Sequence, residues 1–178
     1  MKTFDRNEKQ LSDHVGALGW TTLTEDHQLA RLPEWPSKSI AILVTFGQGP
    51  FAIPISAPQR RGDREILFAL RRNRSSLERL SELSRAALVL LCEGNVAFTA
   101  RGTARVVEAP MRDAPDYAAV VLDVEEIDDH RQPEFLVEYG VGRRWVDEDE
   151  KRFLGTRVAA LREMALGELP SCPALLAR

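Results

Sequence analysis

Between residues 40 and 146 the chain repeats short apolar runs, rich in β-branched residues and separated by turn residues. Runs of this length and composition predict β-strands. Most of the intervals between them are tight turns, which favour an antiparallel barrel over a doubly wound parallel sheet. The predicted strands cover residues 40–46, 51–57, 65–70, 86–92, 96–108, 117–127 and 135–146.

Three segments have helical character. A short helix is predicted from Thr24 to about residue 32, where two prolines follow, and a long one from Asp147 to about residue 166. The third begins at Ser75, because a hydroxyl followed three residues later by Glu78 fits a capping box. Gly102 interrupts a long alternating run and predicts a bulge or bend. The chain is therefore predicted to hold an N-terminal helical segment (1–37), a barrel core (about 38–146) and a C-terminal helix (about 147–166).

Composition limits the class of protein. A chain of 178 residues is the size of one domain, and at this length roughly 70% of the unfolded surface can be buried. Its longest apolar stretch is far shorter than the ~20 residues of a membrane span, so we expect no membrane association. Two cysteines suit a reducing compartment, which favours the cytoplasm. Six residues are predicted to lie in the core or at an interface: Ile42, Val44, Ile55, Leu67, Leu90 and Phe98.

Positive charge is concentrated in one part of the chain. The formal net charge is −3, which does not favour nucleic acid as a partner. Residues 60–85 nevertheless hold eight arginines against four acids, whereas residues 113–151 hold thirteen acids against four basic residues. Two interpretations stay open: two solvated faces of opposite sign, or a basic stretch that holds an anion. The preference for arginine supports the second, since a guanidinium can bind phosphate through two parallel hydrogen bonds.

One short segment combines the features of an anion site. Arg71, Arg72, Arg74, Ser75 and Ser76 lie between the end of a predicted strand and the first turn of a predicted helix. The first backbone N–H groups of a helix are unpaired, and the helix dipole favours an anion there. An ordinary helix start flanked by solvated arginines is the alternative. The sequence contains no phosphate-binding glycine loop, no cluster of metal ligands and no recognisable hydrolase triad, so no metal is expected and no catalytic residue is assigned.

The order of these elements resembles the pyridoxamine 5'-phosphate oxidase-like family, the FMN-binding split barrels. The resemblance is carried by the successive segments AILVTFGQGP, FAIPISA, REILFALRRNRSSLERL, AALVLLCEG and VAFTARGTARVVE, and by the later EFLVEYGVGRRWVDEDE. It implies a mainly β fold with flanking helices, a six-stranded antiparallel Greek-key barrel. It also implies a homodimer with flavin sites at the interface, and an oxidoreductase that acts on a small molecule.

The resemblance implies a cofactor site made of three neighbouring segments. One strand would lie along the isoalloxazine, the end of the next would border the ring and ribityl chain, and the basic helix start would hold the phosphate. The residues are Ile53, Pro54, Ile55 and Ser56; Phe68, Ala69 and Leu70; and Arg71, Arg72, Arg74, Ser75 and Ser76. Arg143 would line the pocket from a partner subunit, together with Tyr139 and Trp145.

The chain departs from the family pattern within the helix. Ser76 and Arg79 occupy the positions where members that bind FMN tightly carry a lysine and an asparagine. Alternatives to an FMN-dependent enzyme therefore stay open: a deazaflavin-dependent reductase, or a non-catalytic dimer that binds a flavin or another planar ligand, or no ligand. The basic residues and histidines expected of a true pyridoxamine phosphate oxidase at its substrate site are not present.

Overall fold

The computed structural model describes residues 28–167 and residue 169, and its main element is one antiparallel sheet of seven strands. Their order across the sheet is β2-β1-β5-β6-β7-β4-β3, so consecutive strands are mostly neighbours. The strands are β1 (Ile40–Phe46), β2 (Pro50–Ser56), β3 (Gln59–Arg61), β4 (Glu65–Arg71), β5 (Arg85–Cys92), β6 (Val96–Glu108) and β7 (Tyr117–Asp129).

The sheet is curled into a half-barrel. β2 lies at one edge and β4 is the sixth strand in order, yet the two contact each other without forming a ladder. The predicted mainly β antiparallel fold with flanking helices is therefore confirmed, with seven strands in place of six. The additional strand, β3, lies between the predicted strands 51–57 and 65–70, where no strand was predicted. The Gln59 side chain is buried there and donates to the carbonyl oxygen of Ala57 over 2.7 Å, which satisfies its polar group.

The last predicted strand, 135–146, is wrong. In this segment the structure has only an isolated bridge between Gln132 and Phe135, followed by extended chain without a ladder. Both edges of β5, the strand it passes, are already occupied by β1 and β6. Gly140 instead packs against Cys92 of β5. A Cβ added at Gly140 would lie only 3.0 Å from the Cα of Cys92. The apolar side chains of the segment remain largely exposed.

Two helices complete the described structure: α1 (Ser75–Glu82) and α2 (Glu148–Leu166). The start of α2 agrees with the prediction, and Asp147 caps it by accepting from the backbone N–H groups of Asp149 and Glu150. The prediction of a capping box at the start of α1 is wrong. The N-cap residue of α1 is Arg74, whose side chain makes no capping hydrogen bond.

The predicted helix at residues 24–32 lies partly outside the described residues, which exclude residues 1–27. Its described part, residues 28–32, is not helical. Gln28 forms a bridge to Asp128, and the Leu29 N–H donates to the Ile127 carbonyl over 2.8 Å. Backbone pairing with β7 therefore replaces the expected helical hydrogen bonds at this point.

The core lies inside the curl. Ile55, Leu67, Leu90 and Phe98 are buried as predicted. In β1 the two predicted residues lie outside the core, which leaves an interface as their predicted place: Ile42 is 38% exposed and Val44 half-buried. The buried face of that strand instead consists of Ala41, Leu43 and Thr45. A shift of one residue moves a whole strand face from core to surface, so an all-apolar run such as IAILVTF does not define its own phase.

Gly102 lies at a register shift between β6 and β7, so the predicted bulge is confirmed. The two backbones approach closely there. A Cβ on Gly102 would lie 2.9 Å from the carbonyl carbon of Asp123 and closer still to its oxygen. Because backbone rather than a flexible side chain occupies that space, only glycine fits without moving a strand.

We predict that Gly102→Ala lowers the free energy of unfolding by about 3 kcal/mol or more, because the added methyl group meets backbone atoms. Gly155→Ala is the control. Gly155 lies within α2 with open space around its Cα, so the same change is expected to raise stability by about 0.5–1 kcal/mol. Urea denaturation measures both, and equal effects of the two substitutions would contradict the packing described here.

Candidate functional site

A cavity of about 510 Å³ lies at the seam where β2 approaches β4, with the start of α1 at one end. This volume is typical of pockets for small molecules and cofactors. Ten of the twelve residues predicted to form a cofactor site line it: Ile53, Pro54, Ile55, Ser56, Ala69, Leu70, Arg71, Arg74, Ser75 and Ser76. The curl of the sheet thus brings three segments that are separate in sequence to one pocket.

Two of the predicted residues do not line this pocket. Phe68 is fully buried and packs in the main hydrophobic core. Arg72 is exposed and donates through Nη1 to the carbonyl oxygen of Pro115 over 3.2 Å. The structure therefore separates Arg72 from Arg71 and Arg74, which do face the cavity.

Four lining residues were not predicted: Arg79, Tyr117, Leu154 and Arg157. Arg79 could have been found, since it lies one helical turn after Ser75 and Ser76 and so on the same face of α1. Tyr117 is the residue opposite Arg71 in the β4–β7 ladder, which requires the strand order. Leu154 and Arg157 come from α2, and no local pattern indicates that this helix reaches the pocket.

The apolar wall is formed by open strand edges. β2 is an edge strand, so the backbone groups on its outer side have no partner strand. In β4, β3 covers only the stretch from Glu65 to Leu67, which leaves the edge at Ala69 and Leu70 open on that side. Ile53 and Ile55 add apolar surface. A flat ligand placed here would contact aliphatic side chains and find backbone hydrogen-bonding groups at its rim.

The polar end of the pocket is strongly basic. Arg71, Arg74, Arg79 and Arg157 line the cavity, and no aspartate or glutamate does. Among the described residues, none of these four arginines takes part in an ion pair. Seven of the described arginines that lie away from the pocket are ion-paired: Arg60, Arg61, Arg85, Arg101, Arg105, Arg131 and Arg152. The pocket therefore concentrates positive charge that protein carboxylates leave uncompensated.

Arg79 is fixed in place by three contacts. Its Nε donates to the Thr45 hydroxyl over 3.0 Å, and its Nη1 donates to the Ser75 hydroxyl over 2.9 Å. The guanidinium carbon also lies 4.2 Å from the centre of the Phe51 ring, a cation–π geometry. Thr45 is fully buried, so this bond satisfies a hydroxyl that water does not reach. Arg79 supports the structure as well as the charge of the site.

The first turn of α1 leaves donors available. Because no side chain caps the helix, the backbone N–H groups of Ser75 and Ser76 have no acceptor from the N-cap residue. Ser76 is buried, with 3% exposure, and lines the cavity. Its hydroxyl makes no hydrogen bond within the part of the chain that the structure describes. The hydroxyl is therefore available to a ligand in the cavity.

Tyr117 contacts two of the other pocket arginines, Arg71 and Arg157. Its hydroxyl oxygen accepts from Arg71 Nε over 2.9 Å, and the Arg157 guanidinium carbon lies 4.0 Å from the centre of its ring. The hydrogen bond from Arg71 to Tyr117 raises the pKa of Arg71. Burial lowers the pKa of Arg157, because removal from water disfavours the charged form. Both remain cations at neutral pH.

Other chemistries find no support in the described residues. Within the ranges that the structure covers, no group of histidine, cysteine, aspartate and glutamate residues could hold a metal ion. No described helix is long and apolar enough to cross a membrane. The pocket lining contains no histidine, cysteine or carboxylate.

No protein-family model and no curated protein sequence matches this chain. Solved structures do match it. One is a candidate pyridoxamine 5'-phosphate oxidase of Lactobacillus delbrueckii, 17% identical, with a TM-score of 0.47 over 57% of this chain and 98% of that one. Another is nitrilotriacetate monooxygenase component B of Mycobacterium thermoresistibile, 14% identical, with a TM-score of 0.44 over 62% of this chain and 87% of that one.

A third is a heme-binding protein of Mycobacterium smegmatis, 16% identical, with a TM-score of 0.42 over 51% of this chain and 48% of that one. The family named for the first of the three is the one that the order of strands resembles. Identity this low does not transfer a ligand or an activity from one chain to another. The chemistry of this pocket therefore has to be argued from its own residues.

We predict that Arg79→Met lowers the free energy of unfolding by about 1–3 kcal/mol, because it leaves the buried Thr45 hydroxyl without its donor. Combining it with Thr45→Val removes both partners. The two substitutions should then be non-additive by at least about 0.5 kcal/mol in a double-mutant cycle measured by urea denaturation. Strict additivity would show that the bond between Arg79 and Thr45 contributes nothing to stability.

Proposed function

We propose that the chain binds FMN in the cavity between β2 and β4 and acts as a flavin-dependent oxidoreductase on a small molecule. One observation carries this proposal. A single cavity of about 510 Å³ joins an apolar strand edge to an end that holds four arginines, two serines and no acid. A ligand that fits both ends has a flat, largely apolar body and an anionic group at some distance from it.

The polar end fits a phosphate monoester. Arg74 adjoins the helix start, Arg79 is held beside Ser75, and the Ser76 hydroxyl, which lines the cavity, makes no hydrogen bond among the described residues. Together with the free N–H groups of the first turn, these groups supply charge and several donors to one anion. The arginines thereby replace the lysine that the resemblance leads one to expect at Ser76.

The apolar end fits a flavin ring. Ile53, Pro54 and Ile55 offer aliphatic surface along β2, and the hydroxyl of Ser56 lies at the end of this strand. Arg143 Nη1 donates to that hydroxyl over 3.0 Å and so orients it. Arg143 was expected to approach from a partner subunit; the structure has it contacting the pocket of its own chain.

FMN, when bound, supplies the electron-transfer chemistry of the reaction. The chain's own residues would hold the ligand and set the electrostatics around it. Four guanidinium groups make the cavity electrostatically favourable for anions. Tyr117 is the side chain placed to donate a hydrogen bond to a reacting molecule, because its oxygen already accepts from Arg71.

One observation favours a second candidate, a protein that binds FMN or another planar ligand without turnover. The pocket lining contains no carboxylate, histidine or cysteine to act as a general acid or base. A deazaflavin coenzyme would fit the same basic end. Anaerobic reduction of the FMN-loaded protein by a nicotinamide donor, followed by reoxidation with candidate acceptors, separates an enzyme from a binding protein.

We also propose that the protein is a homodimer in the cytoplasm. The segment from Phe135 to Val146 exposes several large apolar side chains; Leu136 is 69% exposed and Val141 65%. Contiguous exposed apolar side chains of this size usually mark an interface. A second copy of the chain is the partner that would cover them. The cytoplasmic location rests on the two cysteines in the sequence.

Arg74→Ser is predicted to weaken FMN binding roughly 10- to 100-fold, because it removes a charged donor from the phosphate site. Arg74 is preferred to Arg79 for this test, since it makes no hydrogen bond or ion pair through its side chain within the described structure. Titration followed by flavin fluorescence gives the affinity. Riboflavin, which has no phosphate, should bind wild type and variant equally.

Arg72→Ser is the matched control, because it removes the same charge two residues away from a side chain that does not line the pocket. It is expected to change FMN affinity less than about threefold, as a distant surface charge does in salt. Two results would contradict the phosphate site: equal losses in the two variants, or an FMN affinity no higher than that of riboflavin. A protein that retains no flavin would contradict the proposed function itself.

Sedimentation velocity is predicted to give the mass of two chains for the wild type. Leu136→Glu should shift the protein toward the monomer, because it places a charge on the proposed interface. Leu166→Glu is the control, since Leu166 is 91% exposed at the end of α2 and lies outside the segment. A wild-type monomer at micromolar concentration would contradict the dimer.

A further inference from the structure

The pocket has two basic walls rather than one. Arg79 lies on the side of β1 and β2, where it contacts Thr45 and Phe51. Arg71 and Arg157 lie on the side of β7 and α2, where both contact Tyr117. Arg71 is directly opposite Tyr117 in the antiparallel ladder, so its direction is set by the sheet. The two sets of donors therefore face the cavity from different elements.

Helix α2 holds Arg157 in this position by packing further along its length. Ala160 and Leu161 are buried in a hydrophobic cluster with Leu67 and Val121 on the outer face of the sheet. Arg157 precedes Leu161 by one helical turn and so points along the same side of α2. From there its guanidinium reaches the Tyr117 ring.

The positive charge on this wall is not neutralised by the protein. Arg157 is half-buried, and within the described ranges it forms no ion pair. Asp116 and Glu150 act on Arg71, and Glu150 also acts on Arg157, through the longer-range field without forming an ion pair. Arg143, which donates to the Ser56 hydroxyl, has a pKa lowered by burial and by repulsion from Arg157. Partly buried cations without acidic partners are costly unless an anion joins them.

We propose that Arg71, Tyr117 and Arg157 form a second anion subsite, which binds the anionic group of the substrate beside FMN. The substrate is then a small organic acid, either a carboxylate or a phosphate ester. This inference rests on the proposed function, in which the FMN phosphate occupies the start of α1. Arg157 offers the anion a planar guanidinium group with several N–H donors. The Tyr117 hydroxyl can donate a hydrogen bond to the anion, because its oxygen already accepts one from Arg71.

The test uses inorganic phosphate as the probe on FMN-saturated protein. Calorimetric titration at pH 7.5 and constant ionic strength should reveal one phosphate site per chain. Arg157→Gln is expected to weaken phosphate binding about tenfold or more, as the loss of a charged donor does. FMN affinity should stay within about threefold of the wild type. Arg157→Lys retains charge without the planar stack and should give an intermediate loss.

Arg152→Gln is the control, because it removes the same charge from the same helix at an exposed position paired with Asp149. Equal phosphate affinity in Arg157→Gln and Arg152→Gln would overturn the subsite. A loss of FMN affinity as large as the loss of phosphate affinity would also overturn it, because both walls would then serve one ligand. If FMN does not bind at all, the proposed function fails. The subsite is then still tested with phosphate on the flavin-free protein.

Discussion

The site depends on the close approach of β6 and β7 at Gly102. These are the two longest strands, of 13 residues each, and the register shift at Gly102 lies near the middle of their ladder. A bulge bends its strand and increases the local twist, which is how long strands curl instead of forming a flat sheet. Curling brings the edge strand β2 against β4, and the cavity lies between them. A residue with no contact to the pocket thus sets its shape.

The fold determines where positive charge collects, and the net charge of the chain does not reveal it. The chain is acidic overall, with a formal net charge of −3. Arg85, Arg101 and Arg105 lie on the outer surface of the strands and pair there with carboxylates of β4 and β7. These carboxylates pair with arginines of the strand surface, and none of them lines the pocket. The pocket is therefore positive in a protein whose net charge is negative, so its local field favours anions at this place.

Local patterns predicted most of the fold, since short β-branched runs and turn residues act within a few positions. The errors lie where a distant partner decides. Residues 135–146 have the composition of a strand, but β5 has no free edge to pair with them. Which face of β1 is buried depends on packing against distant residues. Leu43 is therefore buried, whereas Ile42, which was predicted to lie in the core or at an interface, is 38% exposed. The anion site was predicted from the RRNRSS segment alone, whereas Arg157 required the position of α2, which only tertiary packing defines.

Arg157 and Arg79 show how stability and binding are divided in this pocket. Arg79 has protein partners for its nitrogens, so its charge is partly compensated without a ligand. Arg157 has an aromatic ring and no carboxylate within the described structure. An acid placed beside it would relieve the repulsion among the arginines and fill the site permanently. The pocket lining contains no such acid. The electrostatic stabilisation of this wall is therefore left to an anion that can dissociate. A substrate site requires reversible binding of this kind, whereas a structural ion pair does not.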